Sequence, residues 1–153
     1  MKIAIGNDHA ATALKFEMMD YLGNLGHELV NFGTDEEASV NYPDYGEAVA
    51  RAVARKEVDC GVLICGTGIG IALAANKVEG IRAASVSDPV SARLAREHND
   101  ANIICFGARI VGPEMARAIL DAYLGAKFLG GRHADRVRLI HEIEKRTIEG
   151  REL

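Results

Sequence analysis

The chain has 153 residues, of which 48% are hydrophobic and 26% are charged, and this length and composition predict one globular domain over residues 1–153. The formal net charge of -4 leaves no basic field across the protein, so we expect no general nucleic-acid binding. No apolar stretch approaches the ~20 residues of a membrane span, so we expect no membrane partner. Three cysteines, an odd number, and a start unlike a signal peptide predict a reducing cytoplasm.

Short apolar runs alternate with helical stretches along the chain. Strands are predicted at residues 2–6, 27–32, 59–64, 82–86 and 103–106. Helices are predicted at residues 10–24, 43–56, 71–76, 89–97, 113–124 and 133–148. Several strands are continuous apolar runs, which is typical of strands covered on both faces. This order predicts an α/β fold, a three-layer α/β/α sandwich with a five-stranded parallel sheet.

Two details of this pattern predict which side chains share a face. On the first helix, the side chains expected on one apolar face are Leu14, Met18, Tyr21 and Leu25. Cys60 and Cys65 lie five positions apart on one strand, which places them on opposite faces of the sheet. Their separation of roughly 16 Å is too large for a disulfide bond.

The third predicted strand runs into a glycine-rich segment, Cys65-Gly66-Thr67-Gly68-Ile69-Gly70. Three mechanisms compete for it. A dinucleotide-binding loop fits poorly, because Ile71 stands where the third glycine belongs and the segment does not follow the first strand. A Walker-type phosphate loop requires Gly-Lys-Ser or Gly-Lys-Thr, and the segment has neither.

The third mechanism is an anion-binding nest beside a base. Alternate glycines let successive N–H groups converge on one oxygen, and a helix N-terminus adds a positive end. The same surroundings lower the pKa of a thiol, so a Cys65 thiolate can abstract a proton from carbon while the N–H groups hold the enolate oxygen. A structural alternative stays open, in which Cys65 is a small buried side chain and the glycines allow close packing.

Further polar side chains follow other predicted strands. Asp8 and His9 follow the first strand and Arg109 follows the fifth, at the edge where open α/β sheets bind ligands. Asp8 has an alternative role as a helix cap. Arg132 and Arg136 lie one turn apart near the start of the last helix, where their forked guanidinium groups suit phosphate oxygens. A solvated helix face is the alternative for these two arginines.

His98 and Asn99 precede the fifth strand and therefore fall at the amino edge of the sheet. For a five-residue strand this edge lies ~15–17 Å from Cys65. If His98 serves the same site, a second subunit has to bring it there, and this is our hypothesis. The five histidines have no short spacing to the cysteines, so no metal site is expected.

Several motifs occur in order along the chain: Gly6-Asn7-Asp8-His9-Ala10, Tyr42-Pro43-Asp44-Tyr45, the glycine-rich segment with Ala74-Ala75-Asn76-Lys77, Gly80-Ile81-Arg82-Ala83, His98-Asn99-Asp100-Ala101-Asn102, Gly107-Ala108-Arg109, and Gly130-Gly131-Arg132-His133 with Arg136. With these motifs the chain resembles the type B ribose-5-phosphate isomerases, within a wider family that includes galactose-6-phosphate and allose-6-phosphate isomerases. The resemblance covers almost the whole chain.

The resemblance implies a Rossmann-like fold, a sugar-phosphate substrate, a homodimer or tetramer with sites shared between subunits, and no metal or organic cofactor. It implies interconversion of ribose 5-phosphate and ribulose 5-phosphate through an enediolate, with Cys65 as the proton-transferring base. Thr67 and His98 would open the sugar ring. The implied substrate contacts are those of Gly66, Gly68, Ile69 and Gly70 to the enediolate, of Asp8 and Asn99 to sugar hydroxyls, and of His9, Arg109, Arg132 and Arg136 to the phosphate.

One branch of the family replaces the cysteine base with a glutamate shortly after the glycines. This chain has Gly70-Ile71-Ala72 there, without a carboxylate, and so resembles the cysteine branch. Ala11-Thr12 stands where the family commonly has glycine, which leaves the preferred sugar length open. The alternatives are an isomerase of allose 6-phosphate or galactose 6-phosphate and a non-catalytic sugar-phosphate-binding module.

Overall fold

The computed structural model describes residues 1–150 and is built around a parallel sheet. The strands are β1 (Lys2–Asn7), β2 (Glu28–Asn31), β3 (Cys60–Cys65), β4 (Ala83–Ser85) and β5 (Ile103–Gly107). They pair in the order β2-β1-β3-β5-β4, and each pairing is parallel. Residues 151–153 of the predicted domain lie outside the described residues.

Helices cover both faces of this sheet. Within residues 1–150 they are α1 (Thr12–Asn24), α2 (Tyr42–Ala54), α3 (Ile69–Ala75), α4 (Pro89–Asn99), α5 (Pro113–Gly125) and α6 (Arg132–Ile148). One face of the sheet packs against α1, α4 and α5, where Met18 and Ile119 are buried. The other face packs against α2 and α3, where Val49 and Ile71 are buried. The predicted α/β/α fold with a five-stranded parallel sheet is confirmed.

The adjacent strands β1 and β3 lie inside the sheet and carry apolar side chains that are fully buried. Ile3, Ile5, Leu63 and Ile64 are 0% exposed. Full burial of one such side chain contributes about 1.5–3 kcal/mol to stability. Continuous apolar runs in the sequence therefore mark the strands that both helical layers cover.

The strand order creates a crevice at one edge of the sheet. The chain places β2 on one side of β1 and β3 on the other. The helices that follow β1 and β3, α1 and α3, pack on opposite faces, so the loops that lead to them diverge. Asn7 and Ile64 are partners in register, which brings the residues after β1 and β3 to the same edge.

The predicted apolar face of α1 is correct except at its end. Three of the four side chains expected there pack into one core cluster: Leu14, Met18 and Tyr21. The prediction for Leu25 is wrong, because this side chain is 54% exposed. Since α1 ends at Asn24, Leu25 has left the helical register, and Leu22 takes the buried position instead.

The three cysteines are free and buried. Cys60 packs in the core cluster beneath α1 and α5, and Cys65 packs in the cluster beneath α2 and α3. Their predicted placement on opposite faces of β3 is confirmed. Within residues 1–150, no helix combines the length and apolar character needed to cross a bilayer.

Candidate active site

A cavity of about 430 Å³ opens at the carboxyl ends of the strands. Its walls include eight of the residues predicted from the sequence: Asp8, His9, Cys65, Gly66, Thr67, Ile69, Gly70 and Arg109. A larger groove of about 680 Å³ lies between β4 and α6, but its lining contains neither cysteine nor histidine. We therefore take the smaller cavity as the candidate active site, because its walls contain a cysteine and a histidine and those of the larger groove contain neither.

Cys65 ends β3 and is the thiol that lines this cavity. Its side chain is nearly buried, and the Sγ atom accepts the N–H of Gly68 at 3.1 Å. The other two cysteines do not line this cavity, and burial raises the pKa of Cys60 to about 11 and raises that of Cys105 further. Cys65 is therefore the cysteine placed to meet a ligand in the cavity.

Gly68 makes the contact with Cys65 possible, although it does not itself line the cavity. Its φ of +79° favours glycine, and a Cβ atom there would lie 2.6 Å from the carbonyl carbon of Phe106. The next N–H along the chain, that of Ile69, donates to the Oγ1 atom of Thr67 at 3.2 Å. The N–H groups of Gly68 and Ile69, which were expected to face a ligand, thus donate to side chains within the segment instead.

Arg109 places a positive charge at the wall of the cavity. Its backbone N–H donates to the carbonyl oxygen of Gly66 at 3.0 Å, and the Ala108 N–H donates to that of Cys65 at 2.8 Å. A Cβ atom on Gly66 would lie 3.2 Å from the Nη1 atom of Arg109, so the guanidinium lies across this glycine. The loop after β5 is therefore bonded directly to the glycine-rich segment.

Asp8 and His9 form the opposite side of the cavity, after β1. The Oδ1 atom of Asp8 accepts the N–H of Ala10 at 3.0 Å and caps a 3₁₀ turn over His9–Ala11, so the predicted capping role is confirmed beside its place in the cavity. The Nδ1 atom of His9 accepts the N–H of Val40 at 3.1 Å. A neutral imidazole that accepts at Nδ1 carries its proton at Nε2, so His9 has a donor left for a ligand.

Tyr42 lines the cavity as well and was given no role from the sequence. It is the first residue of α2, and its ring packs against Gly70, where a Cβ atom would lie 2.6 Å from the Cζ atom of Tyr42. The only signal in the sequence was its place in the Tyr42-Pro43-Asp44-Tyr45 motif. Contact between the start of α2 and the glycine-rich segment could not be read from spacing along the chain.

His98 does not line the cavity and instead stacks on His133. The two ring centroids are 4.2 Å apart and the ring planes differ by 8°. His98 lies in the last turn of α4, which ends before β5 begins at the amino edge of the sheet. Burial lowers the pKa of His133, and the charges of His98, Arg132 and Arg136 lower it further. His133, which the sequence analysis named only within the Gly130-Gly131-Arg132-His133 motif, is thus the stacking partner of His98.

Arg132 and Arg136 belong to this second cluster, at the start of α6. Both side chains are exposed, as is that of Asn99 on α4. The structure therefore divides the predicted residues in two groups. Asp8, His9 and Arg109 accompany Cys65, whereas Asn99, Arg132 and Arg136 accompany His98.

The fold and the cavity define a Rossmann-like α/β protein with a thiol and a cation at a ligand-binding crevice. In the described part of the chain, no three side chains of histidine, cysteine, aspartate or glutamate are grouped so as to hold a metal ion. The profile of the family described as Ribose/Galactose Isomerase matches residues 3–140. The chain therefore belongs to the Ribose/Galactose Isomerase family.

Similarity to individual members extends over the whole fold. Ribose-5-phosphate isomerase B of Escherichia coli is 52% identical over 145 residues, which cover 95% of this chain and 97% of that protein. A galactose-6-phosphate isomerase subunit of Clostridium acetobutylicum is 44% identical over 84% of this chain and 74% of its own length. The solved structure of Clostridium thermocellum ribose-5-phosphate isomerase B is 54% identical, with a TM-score of 0.95 over 96% of this chain and 99% of that one.

Proposed function

We propose that this chain is an aldose–ketose isomerase that interconverts ribose 5-phosphate and ribulose 5-phosphate. The observation that carries the proposal is the Cys65 thiol, which lines the cavity with the Gly68 N–H on its sulfur. The 52% identity to a ribose-5-phosphate isomerase B supports this choice of substrate. A thiol base beside N–H donors is suited to the removal of a proton from a carbon next to a carbonyl group.

In the proposed reaction, Thr67 and His98 first help to open the furanose ring of ribose 5-phosphate. The Cys65 thiolate then removes the proton from C2, and the electron pair of the broken C–H bond forms the enediolate. Cys65 returns the proton to C1, while the proton of the O2 hydroxyl passes to O1, so that C2 becomes the ketone of ribulose 5-phosphate and O1 becomes a hydroxyl group. Both proton transfers at carbon use the same sulfur, so no proton or electron is gained or lost overall.

The glycine-rich segment would hold the enediolate. We assign the N–H groups of Gly66 and Gly70 to the oxygen that gains negative charge, because these residues line the cavity, whereas the Ile69 N–H donates to Oγ1 of Thr67. The Gly68 N–H donates to the Cys65 sulfur instead, at 3.1 Å. Asp8 is suited to accept hydrogen bonds from the sugar hydroxyls, since its carboxylate lies on the same cavity wall as His9.

The phosphate would lie between two sources of positive charge. His9 offers an Nε2–H donor and Arg109 a guanidinium from the wall of the cavity. Arg132 and Arg136, one turn apart at the start of α6, match the remaining phosphate oxygens. In a reducing cytoplasm, our proposed location, Cys65 would stay in the thiol or thiolate form that catalysis requires.

We propose that two copies of the chain share each site in a homodimer, or in a tetramer built from such dimers. His98, Asn99, Arg132 and Arg136 do not line the cavity of their own chain. The helix α3, which begins at the cavity wall, carries exposed apolar side chains, with Ile69 56% and Leu73 62% exposed. A second copy that covers these side chains would place its own stacked His98 and His133 over Cys65.

The direct test is a Cys65→Ala variant assayed with ribose 5-phosphate. Loss of a general base lowers kcat by ~10²–10⁴-fold, whereas binding of the substrate should persist. Cys60→Ala is the matched control. Cys60 is the first residue of the same strand, at the opposite end from Cys65, and burial raises its pKa to about 11. Near-normal turnover in Cys65→Ala would contradict the assigned role.

A six-carbon substrate is the second candidate, because a galactose-6-phosphate isomerase subunit is 44% identical to this chain. The values of kcat/KM for ribose 5-phosphate, allose 6-phosphate and galactose 6-phosphate should rank the pentose first. Exchange of solvent deuterium into C2 of the substrate separates catalysis from mere binding. A chain that binds ribose 5-phosphate without such exchange would be a sugar-phosphate-binding module.

A further inference from the structure

A buried charge on α1 has no part in the mechanism above. The side chain of Lys15 is 0% exposed, yet it carries an ammonium group. Its Nζ atom donates to the carbonyl oxygen of Thr34 at 2.6 Å, to Oδ1 of Asp35 at 2.5 Å and to Oδ1 of Asn31 at 3.4 Å. An ammonium group is costly to bury unless acceptors surround it, so these contacts have to persist in the folded chain.

The acceptors belong to one segment, the β2–α2 loop (residues 32–41), and to the residue before it. Two further side chains, those of Asn7 and Thr12, bind the same loop. Asn7 donates from Nδ2 to the Thr34 carbonyl oxygen at 3.1 Å, and Thr12 donates from Oγ1 to the Glu36 carbonyl oxygen at 2.8 Å. Thr34 is therefore held from two sides, by the end of β1 and by Lys15 on α1.

The loop also presses closely on the end of β1. A Cβ atom on Gly33 would lie 1.9 Å from Oδ1 of Asn7, so a residue with any side chain would push the two apart. Hydrogen bonding to Lys15, and then to Asn31, holds the pKa of Asp35 below its ordinary value. The loop is thus anchored at Gly33, Thr34 and Asp35.

The far end of the anchored loop reaches the cavity. The N–H of Val40 donates to Nδ1 of His9 at 3.1 Å. This bond exists only while Nδ1 is unprotonated, so it selects the imidazole form with its proton on Nε2. His9 lines the cavity, and Nε2 is the ring nitrogen left for a ligand.

We infer that Lys15 is a positioning residue for His9. Its ammonium group holds the β2–α2 loop in place, the loop presents the Val40 N–H, and that N–H fixes the orientation and the proton position of the imidazole. The inference rests on the proposed function only in assigning a sugar phosphate as the ligand that His9 binds. The link between Lys15 and the proton position of His9 is independent of any substrate.

The first experiment reads the imidazole directly. The ¹⁵N chemical shifts of the His9 ring nitrogens are recorded for the ligand-free full chain and for Lys15→Met, which keeps the length of the side chain and removes its charge. We expect a single form with the proton on Nε2 in the unchanged chain and a mixture of forms in Lys15→Met. Unchanged ring shifts in a folded Lys15→Met would overturn the inference.

A second variant covers the case in which Lys15→Met does not fold. Asp35→Asn leaves Lys15 and its Thr34 contact in place and removes only the negative charge, on a side chain that is 61% exposed. We expect a smaller change of the His9 ring shifts in the same direction. Lys2→Met is the matched control, because Lys2 is an exposed lysine in a surface ion pair with Glu28, and its removal should leave the His9 shifts unchanged.

Steady-state kinetics then distinguish a specific effect of Lys15 on His9 from a general loss of stability. Lys15→Met should raise KM for ribose 5-phosphate about tenfold with kcat nearly unchanged, since a hydrogen bond to a charged phosphate is lost in substrate and transition state alike. In a His9→Ala background, Lys15→Met should raise KM no further. Additive effects on KM would overturn the inference. A chain that shows the ring-shift change without turning over ribose 5-phosphate would contradict the proposed function and leave the positioning role intact.

Discussion

Gly68 has a left-handed backbone, and its N–H is the hydrogen-bond donor to the Cys65 sulfur at 3.1 Å. The absence of a side chain serves two needs there. It permits the φ of +79°, and it lets the segment lie against the backbone of Phe106 on β5. The contact between the Gly68 N–H and the Cys65 sulfur therefore depends on how closely the glycine-rich segment approaches the backbone of β5.

Gly68→Ala should impair both stability and turnover. The new Cβ atom would lie 2.6 Å from the Phe106 carbonyl carbon, so the segment has to move and the N–H leaves the sulfur. Overpacking of this kind costs about 1–3 kcal/mol of unfolding free energy. We expect kcat for ribose 5-phosphate to fall at least ~10-fold, by comparison with other lost N–H donors at reacting atoms. Urea unfolding and steady-state kinetics measure the two effects.

Gly26→Ala is the matched control. Gly26 also has a positive φ, +92°, but a Cβ atom there would meet nothing within 4 Å. Only the cost of a left-handed alanine applies, about 1 kcal/mol, and kcat should not change. Equal kcat in the two glycine variants would show that the Gly68 contact is unimportant for turnover.

The sequence located the residues that follow strands and missed those that depend on packing between elements. Asp8, Cys65 and Arg109 could be placed at one edge because parallel strands end together. Tyr42 reaches the cavity because α2 packs beside Gly70, and Lys15 is buried because a loop supplies its acceptors. Neither contact leaves a periodic signal along the chain.

At the scale of elements, α4 and α6 meet through a pair of histidines. His98 from α4 and His133 from α6 stack with parallel rings, and Arg132 and Arg136 add positive charge from α6. Burial, followed by these charges, lowers the pKa of His133. Protonation of His133 is therefore disfavoured in the folded chain, where α6 packs on α4.

Because of His133, the free energy of unfolding of the chain should decrease as the pH is lowered. Since its pKa is lowered in the folded chain, the unfolded chain binds more protons below the ordinary histidine value of about 6.5. The contribution of His133 is therefore complete above about pH 6.5 and is lost as pH falls towards the lowered pKa. His133→Phe keeps a stacking ring without a titrating group, so its unfolding free energy should depend less on pH.

The measurement is urea unfolding at about pH 7.5 and about pH 5.5, at one fixed protein concentration. The other four histidines are present in both proteins, so the difference between the two pH dependences belongs to His133 and its effect on His98. Parallel curves for the unchanged chain and His133→Phe would contradict the prediction.

The elements themselves were predicted well wherever aliphatic runs mark the core. The structure shortens the second predicted strand to Glu28–Asn31, and it starts α3 two residues earlier than expected, at Ile69. It also replaces the expected start of the first helix by a 3₁₀ turn, because Asp8 caps Ala10. Such ends depend on individual hydrogen bonds, which periodicity does not specify.

At the scale of the whole molecule, the predicted site residues form two groups. Cys65 lies at the carboxyl edge of the sheet, and His98 lies in the last turn of α4, which leads to the amino edge. Position along the strands was sufficient to predict this division for His98 and Asn99, but not for Arg132 and Arg136, which lie at the start of α6. It is the reason for proposing that each site takes residues from two chains.

Mixing two inactive variants tests whether the sites are shared. Cys65→Ala and His98→Ala chains are unfolded together and refolded at equal amounts. In randomly mixed dimers, half the molecules combine the two variants and each of these contains one intact site, so about a quarter of the full activity should return. Each variant refolded alone should stay inactive. Mixed dimers without recovered activity would mean that Cys65 and His98 act within one chain.

The strand order also determines when the sheet can be completed during synthesis. β5 is the last strand in the chain, yet it lies between β3 and β4. Until Gly107 has left the ribosome, β4 has no strand to pair with, and one side of β3 has no neighbour. A nascent chain of about 100 residues therefore exposes the unpaired edge that ends at Cys65, which makes this stage of synthesis the one most open to misassembly and the one where a chaperone has most to cover.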